Sequence, residues 1–231
     1  MVEGRSVEDL VVGVLGGTGQ FGRGLAVRLA AVGQRVLIGS RDTDRAAAAA
    51  AEVTAGATAV AGGTDVLVRG GANADVAGAA DLVVIAVPYA GQATTLAGLA
   101  TALAGKVVVD AVVPMGWDDL GAYVLDVPEG SACQQAAALL PDSSVVGAFH
   151  SVSAALLGDL SRPTVDGDVL VVGDSREATD VVQQLAGRLP GMRGVYAGLL
   201  RDAGQVEALT VNLVAVNRRY GAHAGVRITE V

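Results

Sequence analysis

The chain has 231 residues, of which 52% are apolar and 3% aromatic, so its composition excludes an intrinsically disordered protein and predicts a core of Ala, Val, Leu and Gly. This length suits one large α/β unit or one domain with a smaller second one. A formal net charge of -8 argues against nucleic acid and anionic lipid as partners, so local arginines or backbone amides would have to hold an anionic ligand.

Membrane and export signals are not visible in the sequence. The longest apolar runs, such as Leu82–Val87 and Val107–Val113, are far shorter than the roughly 20 residues of a membrane-spanning helix. Charged residues within the first ten positions leave no apolar export signal, so we expect a cytoplasmic protein. Cys133 is the single cysteine, which excludes an internal disulfide and a multi-cysteine metal site, and we expect no metal.

The first part of the chain predicts strands and helices in alternation. The elements are a strand at Leu10–Leu15, a helix at Phe21–Val32 ended by Gly33, a strand at Arg35–Gly39, and a helix at Asp42–Ala55 capped by Asp42 or Thr43. Alternation of this kind implies a parallel sheet. The glycine-rich stretch from Gly56 to Gly71 is ambiguous, and we expect an insertion or a loose loop there.

Regular periodicity returns after this stretch and completes a doubly wound sheet. The elements are a strand at Leu82–Val87, a helix at Gln92–Leu103, a strand at Lys106–Val113, a helix at Ser131–Leu140 and a strand at Val145–Ala148. Beyond His150 the pattern predicts a short helix near Ala154, a strand at Val169–Val172 and helices at Glu177–Leu189 and Gln205–Tyr220. We therefore predict an α/β fold with a Rossmann domain over residues 1–155 and a smaller, helix-rich α/β domain over residues 156–231.

A glycine-rich turn follows the first predicted strand. Residues Gly17, Thr18, Gly19, Gln20, Phe21 and Gly22 fit the pattern G-x-G-x-x-G. In this pattern one glycine makes the turn, one lets a pyrophosphate approach the backbone, and one lets the helix pack closely on the strand. A plain structural turn is the alternative in a chain with 32 glycines, but the strand before and the helix after favour a dinucleotide site.

The end of the second strand indicates which dinucleotide would bind. An acidic residue there would bind the ribose hydroxyls of NAD, whereas this chain has Ser40 followed by Arg41, with Arg45 one helical turn later. A hydroxyl and a guanidinium can donate hydrogen bonds to the 2'-phosphate of NADP. The alternative is that both arginines are solvated charges beside Asp42 and Asp44.

The inventory of acids and bases is poor for carbonyl chemistry. Lys106 is the single lysine and has no tyrosine four positions before it, so the Tyr-x-x-x-Lys pair of short-chain dehydrogenases is missing. His150 follows the predicted strand at Val145–Ala148, where ligands gather in open α/β sheets, and it could orient a substrate or transfer a proton. A structural hydrogen-bonding role for His150 is the alternative. A small number of acid and base side chains suits hydride transfer between two redox cofactors, because the cofactors themselves carry the chemistry.

Taken together, the segments resemble the NADPH-dependent F420 reductases, enzymes that pass hydride between NADP and the deazaflavin coenzyme F420. The resemblance runs nearly end to end. The matching segments are Val14–Gly22, Ile38–Arg41, Ile85–Pro88, Val112–Pro114, Gly147–Ser151 and the tail from Asn217–Tyr220 to Arg227–Thr229. Two local differences are Ser153, where the family often has proline, and a Gly56–Val66 segment that is longer than usual.

The resemblance implies roles for individual residues. Thr18–Phe21 would hold the pyrophosphate, and Ser40, Arg41 and Arg45 would hold the 2'-phosphate. His150 would be the catalytic residue and face the deazaflavin. Val87, Val113 and Ala154 would lie along the nicotinamide end. Pro88, Pro114 and Ser151 would also bind the cofactor.

Further partners follow from charge and apolar patterning. Arg201, Arg218, Arg219 or Arg227 could anchor the phosphate and glutamate tail of F420, with ordinary surface salt bridges as the alternative. An apolar stripe of Leu209, Leu213 and Val216 predicts a homodimer or, equally, packing within one chain. Two other functions stay open at this point, an NADP-sensing protein without catalysis and an NADPH-dependent reductase of a small carbonyl or imine.

Overall fold

The computed structural model describes residues 4–231, which form a large sheet with helices on both faces. Its strands are β1 (Val11–Leu15), β2 (Arg35–Ser40), β3 (Val68–Ala72), β4 (Leu82–Ile85), β5 (Val107–Asp110), β6 (Met115–Asp118), β7 (Gly121–Val124), β8 (Ser144–Gly147), β9 (Gly167–Gly173) and β10 (Met192–Gly198). Its α-helices are α1 (Gln20–Ala31), α2 (Thr43–Val60), α3 (Asn73–Ala79), α4 (Tyr89–Ala97), α5 (Ala100–Leu103), α6 (Ala132–Leu139), α7 (Ala154–Gly158), α8 (Arg176–Gly187) and α9 (Ala203–Tyr220).

Eight strands form the main sheet in the order β10-β9-β8-β5-β4-β1-β2-β3, while β6 and β7 pair as a separate hairpin. All neighbours in the main sheet are parallel except β8 and β9. Six neighbouring strands of this sheet, in the order β8-β5-β4-β1-β2-β3, have the arrangement of a doubly wound dinucleotide-binding sheet, which confirms the predicted fold class. Within residues 4–231, no helix combines the length and apolar character needed to cross a membrane.

The junction between β8 and β9 is short. Only Val146 with Gly173 and Gly147 with Val172 are paired across it. The chain turns away just after β8, where Phe149 has a φ of 68°, an unusual backbone conformation for a residue with a side chain. Because the pairing is antiparallel, the first part of β9 projects past the carboxyl end of β8. Residues 156–231 thus add β9 and β10 to the same sheet, and the division into two domains at residue 155 stays a prediction.

The stretch from Gly56 to Gly71 is more ordered than the sequence predicts. Helix α2 continues to Val60, and β3 begins at Val68, so the loose loop predicted for the whole stretch is wrong. Strand β3 lies so close to α2 that a methyl group added to Gly70 would be 2.3 Å from the carbonyl oxygen of Ala46. Gly70, one of the glycines that obscure the strand pattern, is therefore needed for the packing of β3 on α2.

The end of α1 and the start of α2 are formed by the residues that the sequence predicts. Gly33 follows α1 with a φ of 83°, the left-handed conformation that ends a helix. Asp42 is the N-cap of α2, and its carboxylate accepts hydrogen bonds from the amides of Asp44 and Arg45 at 3.0 and 3.1 Å. The Asp42 cap thereby fixes the start of α2 on the side where the carboxyl ends of β1 and β2 lie, and Gly33 ends α1 on the opposite side, before β2 begins.

Candidate functional site

The glycine-rich turn joins β1 to α1 in a space that excludes side chains. A methyl group on Gly16 would be 2.4 Å from the Ala86 carbonyl oxygen, and one on Gly22 would be 2.6 Å from the Gly16 carbonyl oxygen. A methyl group on Gly17 would be 2.8 Å from Ile38. Gly16, Gly17 and Gly22 are thus required by contacts within the protein, which bring α1 close to the ends of β1, β2 and β4.

Gly19 has a different environment, because it is exposed and is the N-cap of α1. A methyl group there would contact only the Gly16 carbonyl oxygen, at 3.3 Å. Within residues 4–231, no side chain caps the amides that begin α1. Thr18 and Phe21 are half-buried beside this helix start, and Gln20 is exposed. The first turn of α1 therefore presents backbone amides and a positive dipole end, the arrangement that binds a pyrophosphate.

The predicted 2'-phosphate site lies at the neighbouring strand end. Ser40 is 9% exposed, and its hydroxyl accepts a hydrogen bond from the Asp42 amide at 3.2 Å. Arg41 and Arg45 are exposed, and no carboxylate of the described residues forms an ion pair with either of them. The nearby Asp42 carboxylate is instead bound by backbone amides. Both guanidinium groups are therefore available to an anion.

The sheet order places the other predicted cofactor residues next to the glycine turn. Val87 and Pro88 follow β4, and Val113 and Pro114 follow β5, which is the next strand in the sheet. Val87 and Val113 are half-buried, Pro114 is buried, and Pro88 is the exposed N-cap of α4. Ligands of open α/β sheets bind at the carboxyl ends of such neighbouring strands.

His150 follows β8 at the same edge of the sheet, but its ring lies below the surface. The residue is 5% exposed, and its Nε2 atom is 3.6 Å from the Cys133 sulfur. Its Nδ1 atom is buried and has no hydrogen-bond partner among the described residues. Burial lowers the pKa of His150 to about 4, so the imidazole is neutral at neutral pH.

A group of buried polar residues around His150 was not predicted from the sequence. Asp110 is completely buried at the end of β5, and burial raises its pKa to about 8. Its carboxyl group accepts hydrogen bonds from the Val112 amide at 2.8 Å and from the Gln92 side chain. Glu207, on α9, accepts hydrogen bonds from the amides of Ala132 and Cys133, both at 3.0 Å. An acidic residue that ends the apolar run Val107–Val109 was the available signal.

Three members of this group bring side chains of metal-binding types close together. The ligand atoms of Asp110, Cys133 and His150 lie within 4.8 Å of one another. Burial raises the pKa of the Cys133 thiol well above its usual value, so the thiol is protonated and can donate its hydrogen to the neutral His150 ring. The expectation of no metal stays a prediction.

The segment after His150 completes the edge of the site. Ser151 is buried, and the hydroxyl of Ser153 caps α7 by accepting a hydrogen bond from the Leu156 amide at 3.4 Å. Ser153, which stands where the family often has proline, is thus the N-cap of this helix. Ala154, the first residue of α7, is half-buried.

The candidate arginines for a second anionic ligand differ in their surroundings. Arg227 forms an ion pair with Asp168 at 3.2 Å, as the salt-bridge alternative predicts. Arg201, Arg218 and Arg219 are exposed and form no ion pair with any of residues 4–231. The last two lie in the final turn of α9.

Comparisons with known proteins agree with the geometry. Residues 11–114 match the family described as NADP oxidoreductase, coenzyme F420-dependent. The chain is 40% identical over 225 residues to the F420-dependent NADP reductase of Methanothermobacter thermautotrophicus, with 95% of each chain covered. It is 36% identical to the protein of that name from Methanocaldococcus jannaschii, covering 95% of this chain and 98% of the relative. A solved structure from Arthrobacter sp. FB24, provisionally designated an F420-dependent NADP reductase, has a TM-score of 0.78 at 27% identity and covers 96% of this chain and 100% of its own.

Proposed function

Because the chain belongs to the F420-dependent NADP reductase family, we propose that it transfers a hydride between NADP(H) and coenzyme F420. It is an oxidoreductase, and NADP and coenzyme F420 are its co-substrates. The observation that supports this most strongly is identity of 36–40% to such reductases over nearly the whole chain. The glycine turn and the exposed Arg41 and Arg45 support the family assignment with physical features of this chain.

We propose that the pyrophosphate of NADP binds over the first turn of α1, against Gly17, Thr18, Gly19, Gln20, Phe21 and Gly22. The exposed Gly19 and the uncapped amides of this turn support the assignment. Ser40, Arg41 and Arg45 would then hold the 2'-phosphate. This assignment is supported by the position of Ser40 at the end of β2 and by the two exposed guanidinium groups beside it.

The nicotinamide end of the cofactor would run along the ends of β4 and β5 toward α7. The lining residues proposed are Val87, Pro88, Val113, Pro114, Ser151 and Ala154. With both co-substrates bound between these residues, a hydride would pass directly between nicotinamide C4 and deazaflavin C5, and reduction of the deazaflavin would also require one proton. The half-buried apolar side chains of Val87 and Val113 would exclude water from the reacting carbons.

We propose that His150 faces the deazaflavin as a neutral imidazole. Its position after β8, beside the strand that precedes Val113, supports this placement. A pKa of about 4 and a mostly buried ring favour an orienting role at neutral pH, because a cationic proton donor would be rare under these conditions. Thr210 of α9 holds the His150 carbonyl with a 2.9 Å hydrogen bond and so fixes the backbone at this point.

We also propose that the protein is a cytoplasmic homodimer. Leu209 packs against the core of its own chain, which favours the alternative of internal packing for that residue. Val216 is 38% exposed and Tyr220 is 75% exposed on the same helix, and the β6–β7 hairpin beside α9 exposes Trp117 by 63%. These apolar side chains are the surface that a second copy would cover.

A direct assay tests the proposed reaction. Purified protein is mixed with NADPH and oxidised F420, and the loss of the visible absorbance of the deazaflavin is followed, with NADH as the comparison cofactor. The reverse direction is tested with reduced F420 and NADP. We expect turnover with NADP(H) and much less with NAD(H). NADP binding without turnover in either direction would refute the proposal and favour a sensing role.

A further inference from the structure

Arg28 is a buried arginine on α1, where it is 6% exposed. Its guanidinium donates four hydrogen bonds to backbone carbonyls, to Leu157 (3.0 Å), Arg162 (2.7 Å), Leu156 (3.1 Å) and Asp159 (2.6 Å). Burial lowers its pKa from the usual value, although Arg28 remains a cation at neutral pH. Most of the donor capacity of this side chain is therefore directed at one short segment of backbone.

The four carbonyls belong to the end of α7 and the turn that follows it. The last carbonyls of a helix have no partner within the helix, so Arg28 satisfies groups that would otherwise lack one, and the Leu157 carbonyl among them is buried. The two helices also touch directly, because a methyl group on Gly24 would be 2.8 Å from the side chain of Leu157. Arg28 and Gly24 together fix α7 against α1.

Helices α1 and α7 each contribute to a different half of the proposed cofactor site. The first turn of α1 would bind the pyrophosphate, and α7 begins with Ala154, directly after Ser151 and the capping residue Ser153. We infer that Arg28 is a positioning residue for hydride transfer, which sets the distance between the dinucleotide-binding helix and the segment from Ser151 to Gly158. The inference rests on the proposed function, because it needs the nicotinamide to lie against this segment.

Arg188 offers a matched control within the same protein. It is a partly buried arginine that also anchors α1, donating a hydrogen bond to the Val32 carbonyl at the C-cap of that helix. It also pairs with Glu8 at 2.9 Å. Both arginines act at the last turn of α1, but the contacts of Arg188 are with Val32 and Glu8, so its loss would loosen the packing of α1 without touching α7.

The test compares three variants, R28M, R28K and R188M, by four measurements on the full chain. These are the midpoint of thermal unfolding, the Kd of NADPH, the single-turnover rate of F420 reduction, and the isotope effect with NADPH deuterated at the transferred position. We expect R28M and R188M both to lower the unfolding midpoint. R28M alone should slow the single turnover by roughly tenfold to a hundredfold, since small misplacements of reacting groups have effects of this size.

The Kd of NADPH should change little in R28M, because the pyrophosphate and 2'-phosphate sites remain intact, and the isotope effect should rise as the chemical step becomes slower. R28K keeps the charge but has fewer donors in a different geometry, so we expect an intermediate rate. It serves as the test variant if R28M does not fold.

Three results would overturn the inference. The first is a folded R28M, or a folded R28K where R28M fails to fold, with the wild-type single-turnover rate. The second is an R188M variant that loses as much rate as R28M. The third is a wild-type protein without turnover, which would refute the proposed function as well, whereas the first two results leave that function intact.

Discussion

Replacing Arg41 with alanine should weaken the binding of NADPH much more than the binding of NADH. In the free protein the Arg41 side chain is exposed and has no ion pair with residues 4–231, so its removal should leave the stability of the fold nearly unchanged. The loss should therefore be observed almost entirely in the binding of a ligand that contacts this side chain. NADPH has a 2'-phosphate at the proposed position, and NADH does not.

The expected size follows from the kind of contact. A hydrogen bond between charged partners contributes about 1.5–3 kcal/mol, which corresponds to roughly ten- to a hundredfold in Kd. The low end of this range is appropriate here because the guanidinium is solvated before binding and because salt screens an exposed charge. Arg45 lies one helical turn away and would keep part of the attraction, so the double variant R41A/R45A should lose more than R41A.

Fluorescence titration of NADPH and NADH measures both constants on the same protein, at two salt concentrations. R176A is the matched control, because Arg176 is a surface arginine with a 95% exposed side chain whose loss changes the net charge equally. We expect R176A to bind both cofactors like the wild type. Equal losses of NADPH and NADH affinity in R41A, or an R176A effect as large as that of R41A, would refute the assignment of the 2'-phosphate site.

Two further predictions concern the turn and the acid stability of the fold. Gly22→Ala should weaken NADPH and NADH alike and lower the unfolding midpoint, since the added methyl group would be 2.6 Å from the Gly16 carbonyl oxygen; a variant that binds NADPH normally would contradict the close packing. Hydrogen bonds from Arg193 hold the pKa of the inaccessible Asp168 carboxylate down to about 2. Its contribution to stability is complete above the unfolded pKa near about 4 and is lost as pH falls toward about 2. Asp168→Asn should remove this part of the acid dependence in pH-resolved denaturation curves, and an unchanged slope would contradict it.

The sequence predicted β1, α1, β2 and α2 well because the sequence patterns that define them are local. The apolar run before Gly16, the stop at Gly33 and the cap at Asp42 each depend on a few adjacent residues. The exposed charges of Arg41 and Arg45 could be proposed as ligands for the same reason, since their position after β2 follows from the strand pattern. Strand β10 and the β6–β7 hairpin were missed, because Gly194, Gly198 and Gly116 interrupt the alternation that predicts strands.

The buried polar group around His150 could not be predicted, because its members come from distant parts of the chain. Asp110, Cys133 and Glu207 lie on β5, α6 and α9 and meet only when the sheet and the last helix are assembled. The sequence predicted a ligand-facing His150, whereas burial of its ring depends on these neighbours. Arg28 shows the same limit, since its acceptors begin 128 residues further along the chain.

The antiparallel pairing of β8 and β9 has a consequence for how such a protein can change during evolution. If β9 were parallel to β8, the chain between them would have to run back to the amino end of β8 before β9 could begin. Here the chain leaves the carboxyl end of β8 and enters β9 beyond that same end, so residues 148–166 form a local excursion that does not cross back over the sheet. Insertions, deletions or substitutions in such an excursion leave the strand order intact. Changes in the exposed parts of this excursion can therefore accumulate while the order of the dinucleotide-binding strands stays constant.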